Sequence, residues 1–175
     1  MKQRVLVAGI GNIFLQDDGF GVEVVKRLAA ESLPEWVRVA DFGIRGVHLA
    51  YEMLDGDYDA AIFVDAAPRG EEPGTVYLIE PDLETAEIRE PVSLDAHGMD
   101  PQVVLEMIKT LGGIRGRLYI VGCEPLETDE GIGLSSPVAR GVEEAIRLVH
   151  TLVESLGEGN FNRELDVKGC KTVSR

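Results

Sequence analysis

The sequence predicts a single α/β domain of three layers, with a twisted, mainly parallel sheet between two layers of helices. Short apolar runs of strand length alternate with stretches of helical periodicity, which is the pattern of α/β proteins. The chain has 175 residues and is 45% hydrophobic, enough for one domain with a sizeable core. No linker or internal repeat divides it. We therefore expect residues 1–157 to form the domain and residues 158–175 to be a polar, flexible tail.

The first half of the chain predicts strands and helices in alternation. An apolar run at residues 5–8 has the length of a buried strand, and a helix with one apolar stripe is predicted from Gly19 to about Ser32. The next elements are a strand at 37–40, a short helix at 47–54 and a strand buried on both faces at 60–64.

The second half continues the pattern less regularly. Residues 74–79 predict a strand with the mixed composition of a sheet edge, and residues 80–96 are an acidic, loop-like stretch. Asp100-Pro101 is a good helix start, and Gly112-Gly113 ends that helix. A last strand at 118–121, a loop at 122–134 and a long helix at 136–156 complete the domain.

The net charge of −14 limits the partners that the protein is expected to have. Binding to nucleic-acid phosphates needs Lys and Arg, so no nucleic-acid partner is expected, and cations or basic protein surfaces are favoured. The two cysteines are far apart and show no metal-type spacing. Because no long apolar span or signal-peptide pattern is present, we expect a cytoplasmic protein with no membrane partner.

A glycine turn near the N-terminus presents Asp17 and Asp18 just before the first helix. In open α/β sheets, ligands bind beyond the carboxyl ends of the strands. Gly9 and Gly11 supply two glycines of a dinucleotide fingerprint, but Phe14 stands at the third position, and the carboxylates would repel a pyrophosphate. The acidic pair therefore indicates a cation site, and the alternative is a structural turn with solvated aspartates.

Three side chains stand out by their positions. Asp18 follows the first strand, Asp65 follows the strand at 60–64, and His97 lies in the loop before the helix at Asp100. Two carboxylates and an imidazole suit a divalent first-row metal with open coordination positions. Each residue also has an ordinary interpretation, as a helix cap, a turn residue and a loop histidine respectively.

Several segments together resemble the hydrogenase maturation endopeptidases, which process the large subunit of [NiFe] hydrogenases. The resemblance extends over about residues 4–156. The segments that carry it are Gly9-Ile10-Gly11-Asn12, Asp17-Asp18-Gly19, Gly21-Val22, Phe63-Val64-Asp65-Ala66, His97 and Gly131-Ile132-Gly133-Leu134-Ser135.

The resemblance implies an aspartic-type endopeptidase that removes a C-terminal extension from a large-subunit precursor after nickel insertion. Asp18, Asp65 and His97 match the metal-contacting positions and are the implied catalytic residues. The nickel is expected to arrive with the precursor, so no permanent cofactor is expected. Asp18 or Asp65 could act as the general base. Cys123 is a weaker candidate nucleophile, because no histidine is adjacent to it in sequence.

Two other classes of function remain as alternatives. A non-proteolytic, metal-dependent maturation chaperone or binding module could use the same three residues, and it would leave the mass of its partner unchanged. A small-molecule α/β hydrolase or nucleotide binder would need a serine nucleophile elbow or a complete glycine fingerprint, and the sequence contains neither.

Overall fold

The computed structural model describes residues 3–81, 101–111, 113, 116–159 and 171–173. Its strands are β1 (Val5–Ile10), β2 (Val37–Gly43), β3 (Ala60–Ala66), β4 (Val76–Ile79), β5 (Arg117–Cys123) and β6 (Lys171–Val173). Its helices are α1 (Phe20–Leu28), α2 (Gly46–Asp55), α3 (Pro101–Thr110) and α4 (Ser136–Gly157), and a 3₁₀ turn at Gln16–Gly19 precedes α1.

The six strands form one sheet in the order β2-β1-β3-β5-β4-β6. Strands β2, β1, β3 and β5 are parallel, β4 runs antiparallel to β5, and β6 is parallel to β4. Gly9 pairs with Val64, and Asp65 pairs with Gly122. The carboxyl ends of four parallel strands therefore meet at one edge, and the predicted mainly parallel α/β sheet is confirmed.

Two apolar clusters show that the domain has three layers. On one face of the sheet, alternate residues such as Val5 and Val7 pack with α1 and α4, and on the other face Leu6 and Ala8 pack with α2 and α3. The central strands β1 and β3 are buried along their whole length, as expected for parallel strands covered on both faces. This agrees with the predicted three-layer architecture.

Helix α1 approaches the sheet unusually closely at two glycines. A Cβ built on Gly21 would lie 2.0 Å from the Val64 carbonyl oxygen, and one built on Gly9 would lie 2.4 Å from Val25 Cγ2. Any side chain at Gly21 would push the start of α1 away from β3. The glycines of the N-terminal motif thus set the position of the residues between β1 and α1.

The helix predicted from Gly19 to Ser32 is shorter than expected at both ends. A 3₁₀ turn replaces its start, and α1 ends at Leu28. Beyond that residue the Ala30 and Glu31 amides donate to carbonyls three residues earlier, so the last turn tightens out of the α-helical pattern.

Within the described part of the C-terminal tail, residues 171–173 differ from their prediction. Residues 158–175 were expected to have no regular structure, yet Lys171–Val173 pair with the outer side of β4. The unpaired backbone groups of β4 offer a template for a strand, and Thr172 and Val173 are β-branched. Strand β4 is therefore not the edge that its composition indicated. Residues 160–170 lie outside the described residues, as do residues 82–100, which include most of the acidic stretch predicted at 80–96.

Helix α4 is the longest helix at 22 residues and carries charged side chains on its outer face. No helix in the described ranges has both the length and the apolar character needed to cross a membrane.

Candidate active site

Asp17 is fully buried and anchors a distant loop. Its carboxylate accepts hydrogen bonds from the Leu126, Glu127 and Ser135 amides at 2.9, 2.9 and 2.7 Å, and from the Ser135 hydroxyl at 2.8 Å. Burial alone would raise the pKa of Asp17, but these four hydrogen bonds together hold it below its ordinary value. Asp17 is therefore an ionised structural anchor, which corrects the prediction that both aspartates of the pair face a cation.

Asp18 stands in a different environment, although it is the next residue. It is half-buried within the 3₁₀ turn, and its Oδ2 accepts a 2.8 Å hydrogen bond from the Asn12 amide. Burial raises the pKa of Asp18, and the bond from Asn12 opposes that rise. A carboxylate with a raised pKa at a sheet edge is suited to accept a proton during catalysis.

Asp65 lies near the carboxyl end of β3, one residue beyond the pair that joins β3 to β1. Only 3% of Asp65 is exposed, so it is among the few buried acidic residues in the described chain. Strand β3 is adjacent to β1, and the 3₁₀ turn that carries Asp18 contacts it. Asp65 at the end of β3 and the 3₁₀ turn with Asp18, which follows the neighbouring strand β1, therefore lie at the same end of the sheet.

The short link Gly11-Asn12 touches both of these aspartates. A Cβ on Gly11 would lie 3.6 Å from Asp65 Oδ1 and only 1.8 Å from the Asp18 carbonyl oxygen, while Asn12 donates to the Asp18 carboxylate. Gly11 also has a φ of +133°, which side chains rarely adopt. Only glycine fits here, and its absence of a side chain lets Asp18 and Asp65 approach the same short stretch of backbone.

The segment after Asp65 is held by residues that the sequence reasoning did not select. Glu124 is buried and accepts a 2.6 Å hydrogen bond from the Arg69 amide, and the Tyr77 hydroxyl donates to the Ala67 carbonyl at 2.5 Å. Burial raises the pKa of Tyr77, so it stays a donor. Glu124 follows β5 directly, so the positional rule that selected Asp65 could have found it.

Cys123 has no character of a nucleophile. Its side chain is fully buried in the core, and burial, with the nearby charge of Asp17, raises its pKa to about 12. The thiolate is the reactive form of cysteine, and it is negligible at neutral pH with such a pKa.

His97, the third predicted site residue, falls outside the described residues, so its position stays a prediction. Across the residues that the structure does describe, no three His, Cys, Asp or Glu side chains lie close enough to hold a metal ion. Of the three predicted metal-contacting residues, the structure describes Asp18 and Asp65, whose carboxylate oxygens are hard donors.

Fold and site together define a mainly parallel α/β protein with a carboxylate site at the carboxyl edge of its sheet, where this class binds ligands. The family model for hydrogenase maturation proteases matches residues 22–152. The chain therefore belongs to the hydrogenase maturation protease family and is a peptidase.

Individual relatives agree over most of the chain. A Methanocaldococcus jannaschii protein assigned as a hydrogenase maturation protease is 35% identical over 151 residues, which are 85% of this chain and 95% of the relative. The structure of the Escherichia coli hydrogenase maturating endopeptidase HybD has a TM-score of 0.73 at 27% identity, covering 89% of this chain and 94% of the other. The Thermococcus kodakarensis [NiFe] hydrogenase maturation protease HycI has a TM-score of 0.61 at 30% identity, covering 89% and 93%.

Proposed function

We propose that this peptidase removes the C-terminal extension of a [NiFe] hydrogenase large-subunit precursor after nickel has been inserted. The observation that carries the proposal is the approach of Asp18 and Asp65 to the same Gly11-Asn12 link at the carboxyl edge of the sheet. Membership of the maturation protease family supports a hydrogenase precursor as the substrate. The likeness to a protein named as a [NiFe] hydrogenase maturation protease supports the nickel-containing class.

Asp18 is the better candidate for the general base. Its raised pKa gives it a stronger affinity for a proton than an ordinary aspartate has, and as the ionised form it accepts a proton from water. The resulting hydroxide attacks the scissile carbonyl, and the same proton then goes to the departing amine. Asp65 is more deeply buried and is held near the end of a central strand, which suits a fixed electrostatic or ligand role.

Nickel enters this scheme as part of the substrate. A precursor that holds nickel through its own thiolates would leave coordination positions for Asp18, Asp65 and His97. The joint site would then form only in the complex, and it would place the scissile segment beside the carboxylates. Contacts to the metal thereby make the protease specific for the nickel-loaded precursor, because a precursor without nickel is not positioned for cleavage.

The test is a matched pair of incubations with nickel-loaded and nickel-free precursor, using the protease stripped of metal beforehand and reading intact masses. We expect the loaded precursor alone to lose its C-terminal extension. Equal cleavage of both precursors would contradict the role of nickel. An unchanged mass of the loaded precursor would favour a chaperone, and activity restored only by adding zinc to the protease would favour a metallopeptidase.

A further inference from the structure

Four large apolar side chains are exposed on the two loops that border the candidate site. Ile13 and Phe14 follow β1 and are 47% and 62% exposed, whereas Leu126 and Ile132 follow β5 and are 52% and 82% exposed. We call these four residues the apolar rim. Single exposed apolar residues are common on protein surfaces, but a group of them on adjoining segments indicates an interaction site.

Hydrogen bonds join the two loops of the apolar rim to each other. The Gly131 amide donates to the Phe14 carbonyl at 2.8 Å, and the Gln16 amide donates to the Gly131 carbonyl at 3.0 Å. Buried Asp17 adds its four hydrogen bonds to the second loop, including one from the Leu126 amide. Hydrogen bonds thus hold the two loops of the apolar rim together, so a partner would bind the rim with little loss of conformational entropy in these loops.

The charge around the apolar rim specifies the chemistry of its partner. Residues 12–19 and 124–135 contain six carboxylates and no Lys or Arg. Among them Glu127, Asp129 and Glu130 are exposed between the two apolar residues of the second loop. A complementary partner therefore presents apolar side chains flanked by Lys or Arg.

The apolar rim is also continuous with the candidate site. The Asn12 amide, which directly precedes Ile13, donates to the Asp18 carboxylate. A Cβ on Gly19 would lie 3.1 Å from Ile13 Cα, so both the Asp18 carboxylate and the backbone that follows it border the rim. A polypeptide bound along the rim would lead directly to Asp18.

We propose that the apolar rim is the docking surface for the substrate precursor, and that it binds a segment with apolar side chains flanked by basic residues. The proposal rests on the proposed function for the identity of this partner. Docking at the rim holds the scissile segment at Asp18 and Asp65 without taking part in the chemistry. Loss of the rim should therefore raise KM more than it lowers kcat.

The test compares the double variant F14S/I132S with the control variant Y51S/L111S. Tyr51 and Leu111 are 55% and 46% exposed and lie outside the two loops of the rim, so the control also removes one aromatic and one aliphatic surface residue. With nickel-loaded precursor, we expect F14S/I132S to lower kcat/KM at least about tenfold through KM, as for the loss of an interface hot spot. The control should stay within about twofold of the wild type, as for surface residues away from an interface.

Direct binding of the precursor separates this proposal from the proposed function. If the wild type binds without cleaving, the proposed cleavage is wrong, and weaker binding by F14S/I132S than by Y51S/L111S still supports the apolar rim. The proposal that the apolar rim is the docking surface would be overturned if F14S/I132S and Y51S/L111S bound or cleaved the precursor equally well. It would also be overturned if the wild type did not bind the precursor. If F14S/I132S melts early, the single variant I132S at the most exposed position replaces it in the same comparison.

Discussion

At the scale of single residues, Asp17 and Asp18 show how neighbouring carboxylates take different roles. Asp17 is saturated by donors of one loop and stays ionised, whereas Asp18 accepts one amide bond and has a raised pKa. The sequence spacing marked both as candidates and could not separate them. The donors to Asp17 come from Leu126, Glu127 and Ser135, more than a hundred residues later, and their position follows from the tertiary fold.

The anchoring role of Asp17 predicts a large loss of stability when its carboxylate is removed. Asp17→Ala leaves three amides and a hydroxyl without the buried carboxylate that accepts from them, so we expect the free energy of unfolding to fall by about 3–5 kcal/mol. Urea denaturation measures this, with the exposed Asp55→Asn as a control that should change the free energy by less than about 0.5 kcal/mol. A change in Asp17→Ala as small as that of the control would contradict the anchoring role.

The pKa of Asp17 adds a pH dependence with a defined sign. Because folding lowers this pKa, the ionised group stabilises the protein fully above its ordinary value of 3.8, and this contribution disappears as the pH falls through the folded value. Asp17→Asn should therefore lose less stability than the wild type as the pH is lowered below about 4. Parallel loss in the two proteins would contradict the lowered pKa.

At the scale of the elements, the glycines of the N-terminal motif act through distance. Gly21 brings the start of α1 against the carbonyls of β1 and β3, and Gly11 brings the 3₁₀ turn against β1. The sequence predicted the strand, the turn and the helix. In a dinucleotide fingerprint the third glycine allows the helix to approach the strand closely, and this sequence has Phe14 at that position. Phe14 is exposed, and Gly21 allows the close helix–strand approach instead.

The close approach at Gly21 predicts a strong effect of a single methyl group. In Gly21→Ala the added Cβ would meet the Val64 carbonyl oxygen at 2.0 Å, so α1 must shift. We expect a loss of at least about 2 kcal/mol in the free energy of unfolding. Gly157→Ala is the control, because its Cβ meets only the Trp36 ring at 3.1 Å, and its effect should stay within about 1 kcal/mol. Equal effects of the two substitutions would contradict the packing constraint.

At the scale of the whole molecule, the order of the strands determines which loops meet. Strands β1, β3 and β5 follow one another in the sheet, so the turn that carries Asp18, the end of β3 that carries Asp65 and the second loop of the apolar rim lie at the same end of the sheet. The alternation of apolar runs predicted the layers and the parallel core. It did not predict the reversed direction of β4 or the pairing of β6. Both depend on backbone hydrogen bonds, and the side-chain patterns of these segments do not specify which strand they pair with or in which direction.

The most direct measurement of the central claim is the rate at which Asp18→Asn and Asp65→Asn cleave nickel-loaded precursor. Both changes keep the size of the side chain and remove the charge at the shared edge, so we expect rates at least about a hundredfold below the wild type, the scale of a lost general base. Asp55→Asn, an exposed aspartate at the end of α2, should cleave at the wild-type rate. Wild-type rates in folded Asp18→Asn and Asp65→Asn would contradict the assignment of the active site.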